Sequence, residues 1–474
     1  MSLSSEVSRV AQEQFGIASL RPYQRLVVVD LLEHIQRPGD HHGALVILPT
    51  GFGKTLCFSI PIVFSSQKVL IVYPLLSLMN DQIRRFQAEH IRCASIRGGQ
   101  TRAQREKMWN ILDDGLASVV VTNAESLERK DVLHHLARYR YSMVVVDEAH
   151  IVSQWGRTFR PSYRNLGLFL SFLDVKLIAA FTATASDAIV SDLENSLFLG
   201  KLPHVIKASS DRDNITYHVE RTLVKRHAIT AILADPHRRP AVVFCPTRRS
   251  CEAYAFSHAF SAPTVPVRYY HAGLGRKERR ALEQWFFGQN NAVLFSTCAF
   301  GMGVDKKNIR TIIHVSLPSN VESYLQESGR AGRDGLSAKA FVLLGSEDFL
   351  RRTPLFTAFA NTGTCIRSAL LSLMGEDTDG CGGCDVCDKR LFPFRDGERE
   401  IITAVKEAPW CYAPKTLARN LCDAGGPLSS WDAEDIAQAI DTLTEEGALH
   451  AVFHRLIPGW HVLRSLRRRA KVWS

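Results

Sequence analysis

Short, almost continuously apolar runs alternate with amphipathic segments along the first part of the chain. Between residues 44 and 185 the runs are ALVIL (44–48), KVLIVYP (68–74), ASVVVTN (117–123), MVVVDEA (143–149) and KLIAAFTATA (176–185). Such runs are typical of strands that are buried on both faces. The segments between them, such as SLMNDQIRRFQAEH, have helical periodicity. The pattern therefore predicts an α/β domain with a parallel sheet flanked by helices.

The same alternation begins again after residue 240. The second set of runs is AVVFCPT (241–247), VPVRYYHAG (265–273), NAVLFSTCAFG (291–301), IRTIIHVSLP (309–318) and AKAFVLLG (338–345). These runs predict a second α/β domain, joined to the first near Lys201 to Asp213. The two sets share no strong residue-level repeat, so we interpret their likeness as one of architecture.

Beyond about Gly345 the strand pattern ends. A helical segment that carries cysteines continues to about Pro393, and a basic tail region follows it. In the tail, EREIITAVKEA, KTLARNLC and DAEDIAQAIDTLTEEG predict three helices, and ALHAVFHRLIPGWHVLR predicts a hairpin that turns near Pro458 and Gly459. This combination indicates a winged-helix-like unit. We expect domains at 1–205, 206–345, 346–393 and 394–474.

Composition narrows the class of protein. The 474 residues are 46% hydrophobic and 22% charged, which excludes disordered and collagen-like chains. The start, MSLSSEVSRVAQEQFG, lacks the apolar core of a signal peptide, and apolar stretches stay shorter than a membrane helix requires. We therefore expect a cytoplasmic protein with no membrane partner. The formal charge of +10 favours a polyanionic partner, although solvated basic faces are also common.

Four of the eleven cysteines form a cluster: Cys365, Cys381, Cys384 and Cys387. The last three lie in the string CGGCDVC, whose glycines allow a tight turn, and Cys365 precedes that string by fifteen intervening residues. Four thiolates suit tetrahedral Zn²⁺ in a closed structural site. An iron–sulfur cluster uses similar triplets and stays open as an alternative. The other seven are scattered, which argues against a disulfide framework.

A phosphate-binding loop is predicted at residues 49–55, PTGFGKT, between an apolar run and a helical segment. Gly51 and Gly53, with the neighbouring Thr50, would turn backbone amides toward phosphate oxygens. Lys54 would supply positive charge, and Thr55 would supply a ligand for Mg²⁺. The loop therefore predicts a site for ATP.

Two adjacent carboxylates end the fourth apolar run. Asp147 and Glu148 begin the string DEAH, which we expect at the carboxyl edge of the sheet, where such folds bind ligands. The two carboxylates would have different tasks. Asp147 would hold Mg²⁺ through water, and Glu148 would position and deprotonate the water that attacks the γ-phosphate.

Four motifs, in this order, resemble those of superfamily 2 helicases: PTGFGKT (49–55), DEAH (147–150), FTATA (181–185) and QESGRAGRDG (326–335). Further strings resemble the RecQ family within it, namely PLLSLMNDQ (74–82), SQWG (153–156) with FRP (159–161), and AFGMGVDK (299–306). The resemblance covers about residues 15 to 390. It implies two tandem RecA-like domains, a zinc segment at the cysteines, and an ATP-dependent DNA helicase that moves 3′ to 5′ in DNA repair or recombination.

The resemblance also implies roles for single residues of the nucleotide site. Gln24 matches the family glutamine that reads the adenine edge. Arg330 and Arg333 match the arginines that reach the γ-phosphate from the second domain, so hydrolysis would require the two domains to close. Gln326 and Asp305 lie in matching motifs and are expected at the same site. His150, Thr182 and Thr184 are expected to couple it to DNA.

An aromatic-rich loop is the expected site of strand binding. It resembles the RecQ loop that links DNA binding to hydrolysis, although Thr158 departs from the acidic residue common there. Aromatic rings would stack on bases and cationic groups would contact phosphates, whereas a packed loop with Trp155 in the core is the structural alternative. The candidate contacts to single-stranded and forked duplex DNA are Ser77, Asn80, Gln154, Trp155, Phe159, Arg160 and Thr297.

Two other functions stay open from the residues. An RNA helicase would share the ATP site, and competition between single-stranded DNA and RNA would distinguish it. A DNA-binding adaptor that uses ATP only as a conformational switch would hydrolyse ATP without separating strands.

Overall fold

A computed structural model describes residues 3–36, 43–49, 51–65, 67–156, 161–183, 186–300, 306–350, 353–361, 363–378, 380–390, 395–408, 413–424, 428, 431–453 and 461–465. Within these ranges the chain forms two parallel sheets in succession, a small helical segment that carries the cysteines, and a C-terminal unit of helices and a hairpin. This order confirms the predicted α/β fold class with two parallel-sheet, RecA-like domains.

The first lobe, up to Lys207, contains an eight-stranded parallel sheet. Its strands are β1 Gly43–Ile47, β2 Lys68–Val72, β3 Cys93–Ser95, β4 Val119–Thr122, β5 Arg140–Val146, β6 Asp174–Val175, β7 Ile178–Thr182 and β8 His204–Lys207. They run in the order β3-β4-β2-β5-β7-β1-β8, with β6 beside β5. Its helices are α1 Leu3–Phe15, α2 Pro22–Gln36, α3 Lys54–Phe64, α4 Leu76–Ala88, α5 Arg102–Asp113, α6 Ala124–Leu127, α7 Lys130–Leu136, α8 His150–Gly156, α9 Pro161–Arg164, α10 Leu166–Ser171 and α11 Asp187–Ser196.

Burial on both faces explains the continuous apolar runs. In β1, Ala44 and Val46 point into the core on one side of the sheet, and Leu45 and Ile47 point into the core on the other. Successive side chains of a strand alternate between faces, so a strand covered by helices on both sides has no position for a polar residue. The phosphate loop leaves the end of β1, which lies between β7 and β8.

The second lobe, residues 215 to 344, contains a six-stranded parallel sheet of order β11-β12-β10-β13-β14-β9. Its strands are β9 Ile215–Arg221, β10 Ala241–Phe244, β11 Val267–Tyr270, β12 Val293–Ser296, β13 Thr311–His314 and β14 Ala338–Leu344. Its helices are α12 Lys225–Leu233, α13 Arg248–Ser261, α14 Arg276–Gly288 and α15 Val321–Ser328, and short 3₁₀ turns lie at Pro236–Arg238 and Ser346–Leu350.

The boundary expected between residues 205 and 206 falls inside β8. Because β8 pairs with β1, it belongs to the first sheet, and the chain changes sheets between Lys207 and Ile215. Sequence alone does not locate this boundary to the residue, because β8 and β9 are edge strands with mixed burial and lack a continuous apolar run.

The cysteine segment covers the β9 edge of the second sheet. It includes α16 Pro354–Ala360 and α17 Ile366–Ser372. The Tyr217 amide donates to the Gly383 carbonyl at 3.2 Å, and the Asp385 amide donates to the Tyr217 carbonyl at 3.3 Å. The segment therefore continues the backbone hydrogen bonding of the sheet by a short stretch.

The C-terminal unit has the predicted three helices and hairpin. Its elements are α18 Glu398–Glu407, α19 Pro414–Asp423, α20 Ala433–Glu445 and the antiparallel pair β15 Leu449–Phe453 and β16 His461–Ser465. The turn expected near Pro458 and Gly459 lies outside the described residues. Leu223 and Val224 of the second lobe belong to the core of this unit. No helix among the described residues has both the length and the apolar character needed to cross a bilayer.

An ion-pair group centred on the buried Asp435 holds the C-terminal unit on the second lobe. The Arg226 guanidinium donates to Asp435 and to both Asp432 oxygens, at 2.9 and 3.0 Å in the latter case. His227 Nε2 lies 3.1 Å from Asp435 Oδ2, and the His227 ring stacks on Trp431 at 4.6 Å. Burial would raise the pKa of Asp435, but hydrogen bonds from His227 and Arg226 lower it below its ordinary value.

We expect Asp435→Ala to lower the stability of this docking by about 2 kcal/mol, because it removes the shared partner of a partly exposed cation. Hydrogen exchange of the α18–α20 amides should accelerate, while exchange in the two sheets stays unchanged. Because the folded-state pKa is depressed, this contribution is complete above the ordinary pKa of 3.8 and is lost as the pH falls through the folded value. Asp441→Ala, on the exposed side of α20, is the matched control. Equal exchange in both variants would contradict the prediction.

Candidate nucleotide site and nucleic-acid interface

The loop between β1 and α3 has the backbone of a phosphate site. Gly51 and Gly53 adopt φ values of +85° and +77°, which suit glycine. A β-carbon on Gly53 would lie 2.6 Å from Gln24 Nε2, so a side chain at this position would displace the Gln24 amide. The first turn of α3 has no side-chain cap, and Lys54 Nζ lies 3.4 Å from the Leu48 carbonyl oxygen. Backbone amides at the N-terminus of a helix favour the binding of an anion.

The two carboxylates follow β5 next to this loop. The Asp147 amide donates to the Val72 carbonyl at 3.1 Å, and the Ala149 amide donates to the Phe181 carbonyl at 2.8 Å. Neighbouring strands thus fix the DEAH turn on both sides. Glu148 has a φ of +50°, an uncommon value for a residue with a side chain, and its amide donates to Asp147 Oδ1 at 3.0 Å. Strained backbone of this kind is typical of functional sites.

The pKa values of the two carboxyl groups are shifted in opposite directions. Burial and the nearby Glu148 charge raise the pKa of Asp147 to about 7. Burial would also raise the pKa of Glu148, but Lys54, His150 and two arginines of the second lobe lower it. Glu148 is therefore the readily ionised member of the pair. Its Oε2 atom is buried, lies 3.5 Å from His150 Nδ1, and has no hydrogen-bond donor among the described residues. This oxygen would accept a hydrogen bond from a water molecule.

The second lobe contributes arginines to the same place. Arg330 and Arg333 lie in the loop after α15, and a β-carbon on Gly51 would lie 3.3 Å from Arg333 Cγ. Burial and the Arg333 charge lower the pKa of Arg330 to about 10, and Arg330 Nε has no acceptor among the described residues. Buried positive charge without hydrogen-bond acceptors is costly, and a bound polyanion would offset that cost.

The remaining nucleotide-site candidates have protein partners. Gln24 Nε2 donates to the Phe52 carbonyl at 2.8 Å, and Gln24 Oε1 accepts from the Arg21 amide at 3.0 Å. Its amide is thus engaged with the backbone, and the reading of adenine stays a prediction. Thr55 Oγ1 accepts from Gln82 Nε2 at 3.5 Å. Gln326 lines a small cleft between the lobes, together with Pro49 and Arg212.

A polar contact connects the DEAH turn to β7. His150 Nδ1 lies 3.0 Å from Thr182 Oγ1, and both side chains are buried. Burial lowers the pKa of His150, so the imidazole is neutral near pH 7. The predicted coupling residues His150 and Thr182 are therefore in direct contact; their coupling role stays a prediction.

The nucleic-acid candidates are described in part. Asn80 Oδ1 accepts from Arg97 Nη1 at 3.0 Å, and Thr297 is half-buried just after β12. Ser77, Gln154 and Trp155 lie on α4 and α8, with side chains outside the described part of the structure. The predicted residues that lie wholly outside it are Thr50, Phe159, Arg160, Thr184 and Asp305.

The four clustered thiols converge on one point. The Sγ atoms of Cys365, Cys381, Cys384 and Cys387 all lie within 4.8 Å of one another, and those of Cys365 and Cys384 are 3.9 Å apart. Tetrahedral Zn–S bonds of about 2.3 Å imply sulfur separations of about 3.8 Å. Amides of Gly383 and Cys387 donate to Sγ atoms of the cluster at 3.4 and 3.5 Å. The donor set fits a closed metal site.

Asp30, His34 and His204 form a second close group of residue types that bind metals. His34 Nδ1 lies 2.8 Å from the Asp30 carbonyl oxygen, a contact that requires a proton on that nitrogen. His204 Nδ1 lies 2.9 Å from Asp30 Oδ1. We interpret this group as a polar histidine–carboxylate cluster.

Sequence reasoning missed Arg212, which lies on the linker between the two sheets and contacts the loop of Arg330 and Arg333. The linker was located, but a lone arginine in a segment without periodicity carries no signal of its own. The contact of Arg212 with the arginine loop is evident only from the folded structure, because its partners are distant in sequence.

Comparisons with known proteins agree with this geometry. The DEAD/DEAH box helicase model matches residues 21–193, and the helicase conserved C-terminal domain model matches residues 224–335. The chain resembles the ATP-dependent DNA helicase RecQ of Pasteurella multocida, with 33% identity over 364 residues that cover 73% of this chain and 57% of that protein. The probable ATP-dependent DNA helicase RecS of Bacillus subtilis is 33% identical over 350 residues, covering 73% of this chain and 68% of RecS.

Solved structures share the fold. The helicase MrfA bound to DNA superposes with a TM-score of 0.61 at 17% identity, covering 98% of this chain and 59% of that one. The Mycobacterium smegmatis helicase Lhr, bound to ssDNA and AMP-PNP, gives 0.56 at 18% identity, covering 98% and 60%. The chain spans 57% to 63% of the length of the RecQ relatives from P. multocida, Haemophilus influenzae and B. subtilis. With its two helicase domains in tandem and RecS matched over two thirds of its length, the chain belongs to the RecQ family of superfamily 2 helicases.

Proposed function

We propose that this chain is an ATP-driven DNA helicase that moves 3′ to 5′ on single-stranded DNA and unwinds duplex DNA. One observation carries the proposal: Arg333 of the second lobe packs on Gly51 of the phosphate loop in the first lobe, next to a carboxylate pair. An ATPase site made from two lobes converts the state of the nucleotide into relative motion of those lobes. The RecQ relatives bear the name ATP-dependent DNA helicase.

Each residue has a distinct task in ATP hydrolysis. Backbone amides at Gly51 and Gly53 and the ammonium of Lys54 would bind the phosphates. Thr55 and Asp147 would hold Mg²⁺, which neutralises phosphate charge when bound. Glu148 would accept the proton of the attacking water through its buried Oε2. Arg330 and Arg333 would stabilise charge on the transferred phosphoryl group.

Hydrolysis would drive opening of the lobes. The γ-phosphate of bound ATP would interact with both the phosphate loop and the arginine loop, so its loss would leave the buried Arg330 with a weaker anionic partner. A strand held across both lobes would be released by one and retained by the other in turn. Single-stranded and forked duplex DNA are the proposed partners. On the family resemblance alone, we assign the activity to DNA repair or recombination and to the cytoplasm.

We also propose that Zn²⁺ is held by the four clustered cysteines. The sulfur separations are compatible with tetrahedral thiolate geometry. Bound Zn²⁺ would contribute on the order of 10 kcal/mol to the folding of this segment.

We expect Arg333→Ala to bind ATP within about threefold of the wild-type affinity and to lose on the order of 10³-fold in turnover, because an arginine finger acts mainly in the transition state. Binding of a fluorescent ATP analogue and DNA-stimulated phosphate release measure the two quantities. The same variant should fail to separate forked DNA that the wild-type protein unwinds.

Substrate choice tests the helicase proposal with the same assay. Wild-type protein should separate forks and 3′-tailed duplexes, but not blunt duplexes, and only with ATP. If DNA stimulated ATP hydrolysis but the forks stayed annealed, the protein would be the DNA-binding adaptor. If RNA stimulated ATP hydrolysis more strongly than DNA, it would be an RNA helicase. Arg280→Ala, an exposed arginine of the second lobe, is the matched control.

Trp155→Ala should lower hydrolysis in the presence of single-stranded DNA much more than basal hydrolysis, since a stacked base contributes about 1–3 kcal/mol. Rates measured across a series of DNA concentrations separate the two effects. Trp155→Phe retains a stacking ring and should recover most of the stimulation. If basal and stimulated rates fell together, Trp155 would be a packing residue.

Cys387→Ser should release the metal from the cysteine cluster. We expect the zinc content to fall from one atom per chain to well below half, and proteolytic cleavage within 346–393 to accelerate at least tenfold, because the segment depends on the metal for its folding. Elemental analysis and timed proteolysis measure these. Cys298→Ser, an exposed cysteine elsewhere, should change neither. Iron in place of zinc in the wild-type protein would contradict the assignment.

A further inference from the structure

The linker between the two sheets brings a third guanidinium to the nucleotide site. Arg212 Nη1 donates to the Gly329 carbonyl at 3.2 Å, and Nη2 donates to the carbonyls of Gly332 at 3.0 Å and Ala331 at 3.4 Å. A β-carbon on Gly51 would lie 3.6 Å from Arg212 Nη1. One side chain therefore contacts both the arginine loop of the second lobe and the phosphate loop of the first.

Arg212 is bonded to the arginine loop of the second lobe. Asn214 reinforces the same loop, because its Nδ2 donates to the carbonyls of Gly332 and Leu336, both at 2.8 Å. The Arg212 guanidinium also packs against Gly51 of the phosphate loop. Arg212 would therefore set the height of the arginine loop over the phosphates when the lobes close.

Arg367 of α17 fixes the linker from the other side. This arginine is fully buried, and its guanidinium donates to the Asp211 carboxylate, to the Arg212 carbonyl at 3.3 Å and to the Ile215 carbonyl at 2.5 Å. It also lies over the Tyr217 ring at 5.1 Å. A buried arginine with this many acceptors is held in one position. The backbone of Arg212 is thus attached to the cysteine segment.

The local charge explains why such fixing is needed. Burial and the Arg333 charge lower the pKa of Arg212, so the guanidinium groups repel one another in a poorly solvated place. Without firm attachment, the arginine loop would move away from the phosphate loop. Backbone carbonyls of the loop accept from Arg212 and thereby compensate part of that repulsion.

We propose that Arg212 is a positioning residue for ATP hydrolysis, which holds the loop of Arg330 and Arg333 over the phosphate loop and is itself held by Arg367 of the cysteine segment. The inference rests on the proposed ATPase function. It connects the metal-binding segment to ATP turnover through side chains, from Arg367 through Asp211 and Arg212 to the arginine loop.

Arg212→Ala and Arg212→Lys test this positioning role in the full chain. A misplaced reacting group costs on the order of 10²-fold in rate, so kcat should fall by about that factor in Arg212→Ala, while the Kd for AMP-PNP changes less than about threefold. Arg212→Lys keeps the charge but lacks the fork that bonds several carbonyls, so it should recover less than about tenfold in kcat. Arg280→Ala should retain the wild-type kcat and Kd.

A double variant separates positioning from simple stability. If Arg367 acts through Arg212, Arg367→Lys lowers kcat on its own, but Arg212→Ala with Arg367→Lys has the same kcat as Arg212→Ala alone. Independent, multiplying losses would overturn the connection. Should Arg367→Lys fail to fold, the kcat and Kd values of the two Arg212 variants decide the positioning role by themselves.

The results distinguish this inference from the proposed function. A wild-type protein without ATP hydrolysis would remove the proposed function. A wild-type ATPase in which Arg212→Ala keeps kcat within about threefold would overturn the positioning role alone. If kcat and the affinity for AMP-PNP fell in parallel, Arg212 would bind the nucleotide directly. If Arg212→Lys recovered the full kcat, only the charge of Arg212 would matter. Either result would also overturn the positioning role.

Discussion

The nucleotide site depends on positive charge that is buried at the junction of two separately folded sheets. Arg330 is 5% exposed, and Arg212 and Arg333 lie beside it against a glycine-rich loop. Cations so poorly solvated are stable only when backbone carbonyls, carboxylates or a bound anion compensate them. The nearby positive charges lower the pKa of Glu148 and keep it ionised. The lobes thus meet at a concentration of positive charge, which favours the binding of a polyanion.

Local sequence was sufficient to predict most of the framework. Each of the ten apolar runs contains a strand of the two sheets, because strands buried on both faces have no polar positions. The phosphate loop and the DEAH turn were also predicted, since their residue types and their place after strands are local properties. Both lie at the carboxyl edge of the first sheet, after β1 and β5, which are separated by β7.

What could not be predicted depends on contacts between distant segments. The strands β8 and β9 lie at sheet edges with mixed burial, so neither has an apolar run. Gln24 bonds to the Phe52 carbonyl, 28 residues away, and no sequence pattern distinguishes that role from contact with adenine. Arg212 and Arg367 are single arginines whose partners lie more than a hundred residues away along the chain. Tertiary structure alone assigns them.

The pairing of the cysteine segment with β9 has a consequence for the apo protein. With Gly383 and Asp385 in place, the Tyr217 amide and carbonyl are satisfied. A chain that lost the metal would expose this strand, whose residues Ile215, Tyr217 and Val219 are favourable for cross-strand pairing. An unprotected edge is a template for another chain. Loss of the proposed metal would therefore leave β9 open to pairing with another chain, so the cysteine segment would also protect the protein against aggregation.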